Sequence, residues 1–407
     1  MPPAAVPIMT ASDPIYLDNH STTRVDPRVV EAMLPFFLEQ YGNAGSPSHR
    51  YGWDAREAVD RSRRQIAAAV NAKPTEIVFT SGATESNNLA ILGAARRRQA
   101  RGKHLIGVTT EHRAVLDPLL RLERDGYEVT YLDVYGHDQP AACGQLNVED
   151  LRAAIRSDTD LVTVMLANNE IGVIQPLREI ADVCHQHDVL LHCDATQAVG
   201  KLPVDVHDLG VDLMSFSAHK LHGPKGIGAL YVRRRSPQIR LLPQLVGGGQ
   251  EKGLRSGTLA VPLIVGFATA VSLCVERMDH EIHHFADLRG QLFTRMVTAI
   301  PDVYLNGPQW SEDGLTCVRL PNNLNLRFEG VDGESLMLSA AKIAVSTGSA
   351  CTSTSPEPSH VLRAIGLTED QTRSSLRFGF GRFNSENELE PVVDAFADAV
   401  NRLRKMG

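Results

Sequence analysis

Lys220 closes the segment Ser217-Ala-His-Lys220, just after the apolar run Asp212-Leu-Met-Ser-Phe216 and just before the glycine-studded turn Gly223-Pro-Lys-Gly-Ile-Gly228. At the carboxyl end of a strand and inside a pocket, a lysine is poorly solvated; desolvation favours the neutral amine, which condenses with aldehydes. Taken alone the residue is more readily a surface charge, as most lysines are. Asp194 ends the run Val189 to Cys193, where a carboxylate is costly to bury unless it faces a cation or a donor. Either it meets a protonated pyridine nitrogen and keeps that ring an electron sink, or it caps the next segment. Ser81-Gly-Ala-Thr-Glu85 opens a helical run from Asn87 to Arg98, so its backbone amides and the hydroxyls of Ser81 and Thr84 form a seat for phosphate. That seat matches neither the Walker lysine pattern nor the dinucleotide glycine pattern. His112 carries an imidazole that titrates near neutrality and suits ring stacking or proton transfer. An aldehyde-trapping lysine, a carboxylate for a ring nitrogen and a helix N-terminus for phosphate together match the anchoring needs of pyridoxal 5'-phosphate.

Cys351 stands apart, in the Ser/Thr/Gly/Pro stretch Ser346-Thr-Gly-Ser-Ala-Cys-Thr-Ser-Thr-Ser-Pro-Glu-Pro358. Such a stretch has little to bury and is expected to move, so the thiol either swings between pocket and solvent or is a stray exposed cysteine. The other cysteines, at 143, 184, 193, 274 and 317, show no metal-binding or secreted-type spacing; Cys184 and Cys193 sit in apolar runs as small core residues. His185, His187, His192, His283 and His284 read as surface or helix-end residues, because no carboxylate–His spacing marks a metal site.

These groups need a scaffold, and the chain provides one. From about residue 54 to 270, β-rich runs at 76–80, 104–109, 127–132, 161–165, 189–192 and 227–232 alternate with helical periodicity, as at 54–70 and 177–187. The pattern predicts βαβ units, a mostly parallel sheet flanked by helices and ligands outside the carboxyl ends of its strands. Those ends are polar: Ser81–Glu85, Glu111-His112, Asn168-Asn-Glu170, Asp194–Gln197 and Ser217–Lys220. Near residue 275 the pattern changes, with His280 entering a long helix to about Ile300, and a strand at 375–378 and a closing helix follow later. The predicted division is a large domain over 26–278 and a smaller α+β domain from 1–25 and 279–407.

The chain has 407 residues and a net charge of -7, which argues against a bulk electrostatic grip on nucleic acid or anionic lipid. Arg96-Arg-Arg98 and Arg233-Arg-Arg235 read as solvated faces. No apolar run approaches a membrane span, and Met1–Thr10 lacks a basic segment before its few apolar residues. The expectation is a cytoplasmic protein.

Tyr16-Leu-Asp-Asn19, Tyr41-Gly-Asn-Ala-Gly-Ser-Pro-Ser-His49, Thr80–Ser86, Thr110-Glu-His112, Asn168-Asn-Glu-Ile-Gly172, Asp194-Ala-Thr-Gln197, Ser215–Lys220, Arg255-Ser-Gly-Thr258 and Gly348-Ser-Ala-Cys351 occur in the order found in cysteine desulfurases. From about residue 15 to 400 the chain resembles these enzymes, which are class V aminotransferase-like members of the fold-type I pyridoxal-phosphate transferases, and within them the group with a long mobile loop. The resemblance implies that Lys220 forms the Schiff base, Asp194 meets the pyridine nitrogen, Gln197 contacts the ring hydroxyl, His112 stacks on the ring and Asn169 helps hold it. Ala83, Thr84, Ser217 and His219 would bind the phosphate, with Thr258 reaching it from the second subunit of a homodimer. Asn43 and Arg377 would take the substrate carboxylate, a task suited to a guanidinium fork.

Cys351 would then attack the sulfur of L-cysteine, leaving L-alanine and a persulfide that passes to an acceptor, such as an iron–sulfur scaffold or a thiolation factor. His112 is the candidate for the associated proton transfers. Two other readings stand beside this one: a selenocysteine lyase or other class V enzyme, which shares Lys220 and Asp194, and a nucleotide-binding scaffold protein using Gly247-Gly-Gly249. Two departures lie near the pocket, His20-Ser21 before Thr22-Thr23 and His222 where relatives often have Tyr. The chain also ends at Gly407, soon after its last helix, whereas relatives serving the general iron–sulfur scaffold often continue into a docking tail; the acceptor therefore stays open.

Overall fold

The computed structural model describes residues 14–97, 102–236, 238–310, 318–347 and 358–406. A seven-stranded sheet runs in the order Ile77–Thr80, Gly228–Val232, Leu213–Ser217, Leu190–Asp194, Thr159–Met165, His104–Val108, Glu128–Leu132. Every neighbouring pair is parallel except the two made by Gly228–Val232. That one reversed strand gives Lys220 its place. The chain ends Leu213–Ser217, turns through Lys220 and comes back beside the strand it has just left, so the first residue of Gly228–Val232 lies at the same edge as the last residues of the others. Gly228 is required there, because a Cβ would stand 2.7 Å from Gly82 Cα and 2.7 Å from Phe216 O.

The central strands are buried on both faces, which is why they read as continuous apolar runs. On one side the helix Arg50–Ala69 buries Ala55, Ala58, Val59, Ser62 and Ile66, the stripe expected from 3.6-residue periodicity. Its N-terminus is capped by His49 Nδ1, which accepts from Gly52 N at 3.2 Å. A second apolar cluster collects around the three-stranded antiparallel sheet Ser375–Gly379, Asn323–Phe328 and Val303–Leu305, against the helix Leu389–Arg404. Phe328, Phe378 and Phe396 are fully buried and in ring contact there, each stabilising the fold by about 1.5–3 kcal/mol. Ile15–Tyr16 joins this part by pairing in parallel with Ile343–Ala344.

Two expectations change. The long helix begins at Val261, not at His280, and runs 39 residues to Ala299. Val261, Ile264 and Phe267 bury into the large core while Phe285, Leu288 and Leu292 bury into the small one, so an apolar half and a polar half form one continuous helix. By length and composition it could cross a membrane, which corrects the reading that no run approaches a span; its apolar residues are spent on the two cores. His192, expected at a surface or helix end, is fully buried in the central strand Leu190–Asp194. Its ring is satisfied sideways, Nδ1 by Thr163 Oγ1 at 2.8 Å and Nε2 by Ser215 Oγ at 3.0 Å.

Arg382 ties the parts together. It donates to Glu281 Oε1 at 2.5 Å on the long helix and to Asp26 Oδ2 at 2.8 Å, with all three side chains at 5% exposure or less. Arg382→Met leaves Asp26 to Arg28 and Glu281 to Arg277 and removes a charged hydrogen bond from each, and is expected to lower stability by about 1.5–3 kcal/mol, read as a lower denaturation midpoint. Burial alone would raise the Asp26 carboxyl, but the bonds from Arg28 and Arg382 outweigh it and hold the group well below the usual carboxylate range. Its contribution is therefore complete above the ordinary aspartate pKa and is lost as pH falls through the depressed folded value. Asp26→Asn is expected to flatten that acid limb of the stability curve.

Candidate active site

The carboxyl ends of the parallel strands open on a cavity of about 500 Å³. Ala83, Thr84, His112, Asn169, Asp194, Gln197, Ser217, His219, Lys220 and Arg377 all line it. A larger cleft of about 760 Å³ lies elsewhere, among Arg63, Arg64, Arg233, Arg234, Arg240 and Lys252. It is mostly basic, and its Glu251 carboxylate is already held by Arg63 at 2.6 Å, so volume alone does not mark the chemistry.

Asp194 ends its strand with the carboxylate turned to the cavity, at 6% exposure. Oδ1 accepts from Thr196 N at 3.0 Å and Oδ2 from Asn87 Nδ2 at 2.8 Å, while no Lys or Arg pairs with it among the described residues. A buried carboxylate held only by neutral donors still favours a cation. Lys220 Nζ donates instead to two carbonyls across the cavity, His20 O at 2.5 Å and Ser21 O at 2.6 Å. The helix Ala83–Arg97 points its N-terminus at the cavity between Gly82 and Ser217. Glu85 closes the first turn by accepting from Ser81 N at 2.7 Å, and Arg255 holds it at 2.8 Å.

His112 caps the helix Arg113–Arg124, with Nδ1 accepting from Ala114 N at 3.0 Å. The ring proton therefore sits on Nε2. Burial lowers the imidazole; Asp194 raises it, Lys220 and His360 lower it further, and the net shift is downward. Protonation at Nδ1 would also break the cap, so His112 is a neutral Nε2–H donor at neutral pH. Beneath it, burial and Asp194 push the Glu111 carboxyl well up against a single opposing bond from Met165 N. His219, half-buried with Nδ1 3.2 Å from Thr22 Oγ1, is lowered to about 4 by burial and by Lys220, Lys225 and Lys201.

Arg377 lies at 1% exposure. It donates to Asp18 Oδ1 at 2.9 Å, Ser21 Oγ at 2.8 Å and Asn169 O at 3.0 Å, and its buried Nε has no partner.

Two expected site residues are not in the lining. Asn43 is exposed, its Oδ1 accepting from Gly45 N at 2.8 Å, and Thr258 is also exposed. Cys351 lies outside the described residues. The residues that flank it are placed: Arg377 N donates to Ser346 O at 2.7 Å, and Ser359 Oγ donates to Glu170 Oε2 at 2.5 Å. Sequence reasoning missed Asn87, Thr196 and the functional side of His20. Asn87 was within reach, since it falls one helical turn after Thr84 and so shares its face.

The donor set fits pyridoxal 5'-phosphate. Asp194 offers a carboxylate without a cation, Lys220 an amine, the helix at Ala83 its amides, and Thr196 Oγ1 and Asn87 Oδ1 are buried without partners beside them. Among the described residues no cluster of three His, Cys, Asp or Glu side chains is suited to a metal ion.

Residues 15–392 match the family model for aminotransferase class-V. The chain is 50% identical over 398 residues to the cysteine desulfurase IscS of Neisseria meningitidis serogroup A, covering 98% of this chain and 95% of that one. Among solved structures it is similar to a NifS-like protein, with a TM-score of 0.86 and 35% identity over 96% of this chain and all of the other. It is also similar to SspA in complex with cysteine, with a TM-score of 0.76 and 36% identity over 91% of this chain and 100% of that one.

Proposed function

Because this chain belongs to the class-V aminotransferase family and is a cysteine desulfurase within it, we propose that it uses pyridoxal 5'-phosphate in the cavity around Lys220 to pass the sulfur of L-cysteine to Cys351. The observation that carries the reading is Asp194, a cavity-facing buried carboxylate with no cation of its own among the described residues. In this reading Asp194 holds the pyridine nitrogen, Gln197 the ring hydroxyl, Asn169 the ring edge and His112 one face. Ala83, Thr84, Ser217 and His219 hold the phosphate. Bound there, the protonated ring supplies an electron sink for charge that develops as bonds to the substrate's Cα and Cβ break.

The chain's own groups do the rest. Arg377 commits both Nη2 hydrogens to Asp18 and Ser21 but only one Nη1 hydrogen, to Asn169 O, which leaves the other Nη1 hydrogen for the substrate carboxylate. Asn43 joins it if the turn around Gly45 moves over the opening. Lys220 Nζ moves the Cα proton, and His112 Nε2–H faces the groups that change charge. Cys351 attacks the substrate Sγ as a thiolate: an S–S bond forms, the Cβ–Sγ bond breaks, and its electron pair stays with carbon and takes up a proton to give L-alanine.

Ser346, bonded to Arg377, stands five residues before Cys351, and five residues reach at most about 17 Å. Exposed Leu38, Tyr41, Trp53 and Val246 favour a homodimer, in which Thr258 of a second copy would complete the phosphate seat. The acceptor is a protein thiol of an iron–sulfur scaffold or thiolation factor, and the enzyme acts in the cytoplasm. The test is turnover of L-cysteine, L-selenocysteine and a keto acid by the protein loaded with pyridoxal 5'-phosphate. With an excess of a thiol reductant present to reduce the Cys351 persulfide, equal yields of alanine and sulfide from L-cysteine, at the highest kcat/KM of the three, are expected; preference for either rival would overturn the assignment.

A further inference from the structure

Lys201 is a buried cation outside the site as drawn so far. It lies at 6% exposure, and its Nζ donates to Gln197 Oε1 at 2.8 Å. No carboxylate pairs with it among the described residues. Its charged neighbours are Lys220 and Arg377, with the Cys274 thiol as the one group that favours its charge; burial first and these cations next bring the ammonium down to about 7. A lone buried ammonium facing two other cations is costly, so its retention calls for a purpose.

The purpose is visible in Gln197. Its Oε1 takes two bonds, from Lys201 Nζ and from His20 Nδ1 at 3.0 Å, and its Nε2 donates to His20 O at 3.0 Å. His20 Nε2 lies between a donor, Asn323 Nδ2 at 3.3 Å, and an acceptor, Asn322 O at 3.2 Å, so the Gln197 amide decides the tautomer: with Oε1 held by Lys201, Nδ1 is the nitrogen that donates. An amide has two hydrogens on nitrogen, and Gln197 lines the cavity. With its oxygen and one N–H committed behind it, the second N–H is left for the cavity. A flipped amide would set Nε2 against protonated Lys201, which can only donate, and Oε1 against the His20 carbonyl; the second clash holds even where Lys201 is neutral.

We propose that Lys201 is a positioning residue that fixes the Gln197 amide, so that an N–H and not the oxygen is presented to the oxygen substituent of the bound ring. The inference rests on the pyridoxal-phosphate reading above. A cation behind the amide also polarises that N–H and strengthens it as a donor. Losing the donor leaves more negative charge on the ring oxygen, and the neighbouring imine nitrogen then keeps its proton to higher pH.

The experiment titrates the visible absorption band of the loaded wild type, Lys201→Met, Gln197→Met and the double variant against pH. The midpoint is expected to rise by about one pH unit in each single variant, with the double rising no further than either, because both remove the same bond. An unmoved midpoint in Lys201→Met, or shifts that add in the double, would overturn the role. Should Lys201→Met not fold, Gln197→Met decides alone: an unchanged midpoint overturns the proposal, and a raised one supports the donor that Lys201 orients. If the wild type shows no band that borohydride fixes on Lys220, the cofactor reading itself has failed. A fixed band with unmoved midpoints sinks only Lys201.

Discussion

Lys220→Ala is expected to lower desulfurase turnover by about four orders of magnitude or more and to abolish any borohydride-stable link between protein and cofactor. The expectation follows from placement. Lys220 ends the turn between two antiparallel neighbours, and its Nζ donates to the carbonyls of His20 and Ser21. Removing it deletes both the covalent anchor and the base at Cα, while those carbonyls remain at the edge of an open cavity where water can bond them. The fold should therefore persist, with an unchanged denaturation midpoint checked alongside turnover. Residual turnover near wild type would mean that another amine performs both tasks.

Cys351→Ser is expected to keep the visible band and the Lys220 link while sulfur transfer falls by about three orders of magnitude or more. Serine preserves size and polarity but is a far poorer nucleophile toward sulfur than a thiolate. Cys143, Cys184, Cys193 and Cys274 are buried, and burial pushes the Cys143 and Cys274 thiols up to about 11 and Cys184 up to about 12. None of these four can replace it as a ready thiolate. Rapid consumption of L-cysteine by the serine variant, with alanine formed at the wild-type rate, would remove Cys351 from the mechanism.

Much of this site was legible in the sequence, because parallel strands end in short polar segments and the physics of the sheet sends those segments to one edge. Lys220, Asp194, His112 and Thr84 could be collected in this way before any contact was known. Gln197 and Arg377 needed the resemblance, since no local pattern distinguishes either from a solvated side chain. The long helix was misread because periodicity weakens where a helix leaves one core and enters another: Val261–Cys274 and Phe285–Met296 bury into different clusters. His192 was misread because histidine is usually exposed, while here two hydroxyls on adjacent strands satisfy its ring. Lys201 gave no signal at all. Its meaning depends on Gln197 standing one turn away with its oxygen turned back, and side-chain orientation is set by packing that spans His20, Asn323 and Arg377.

The most direct test mixes wild-type protein, loaded with pyridoxal 5'-phosphate, with L-cysteine in the absence of any reductant or acceptor and measures the mass of the peptide containing Cys351. The account predicts a product one sulfur atom heavier on that cysteine, formed together with one equivalent of alanine and absent from Lys220→Ala. Alanine formed with the extra sulfur on another cysteine, or with none on Cys351, would contradict it.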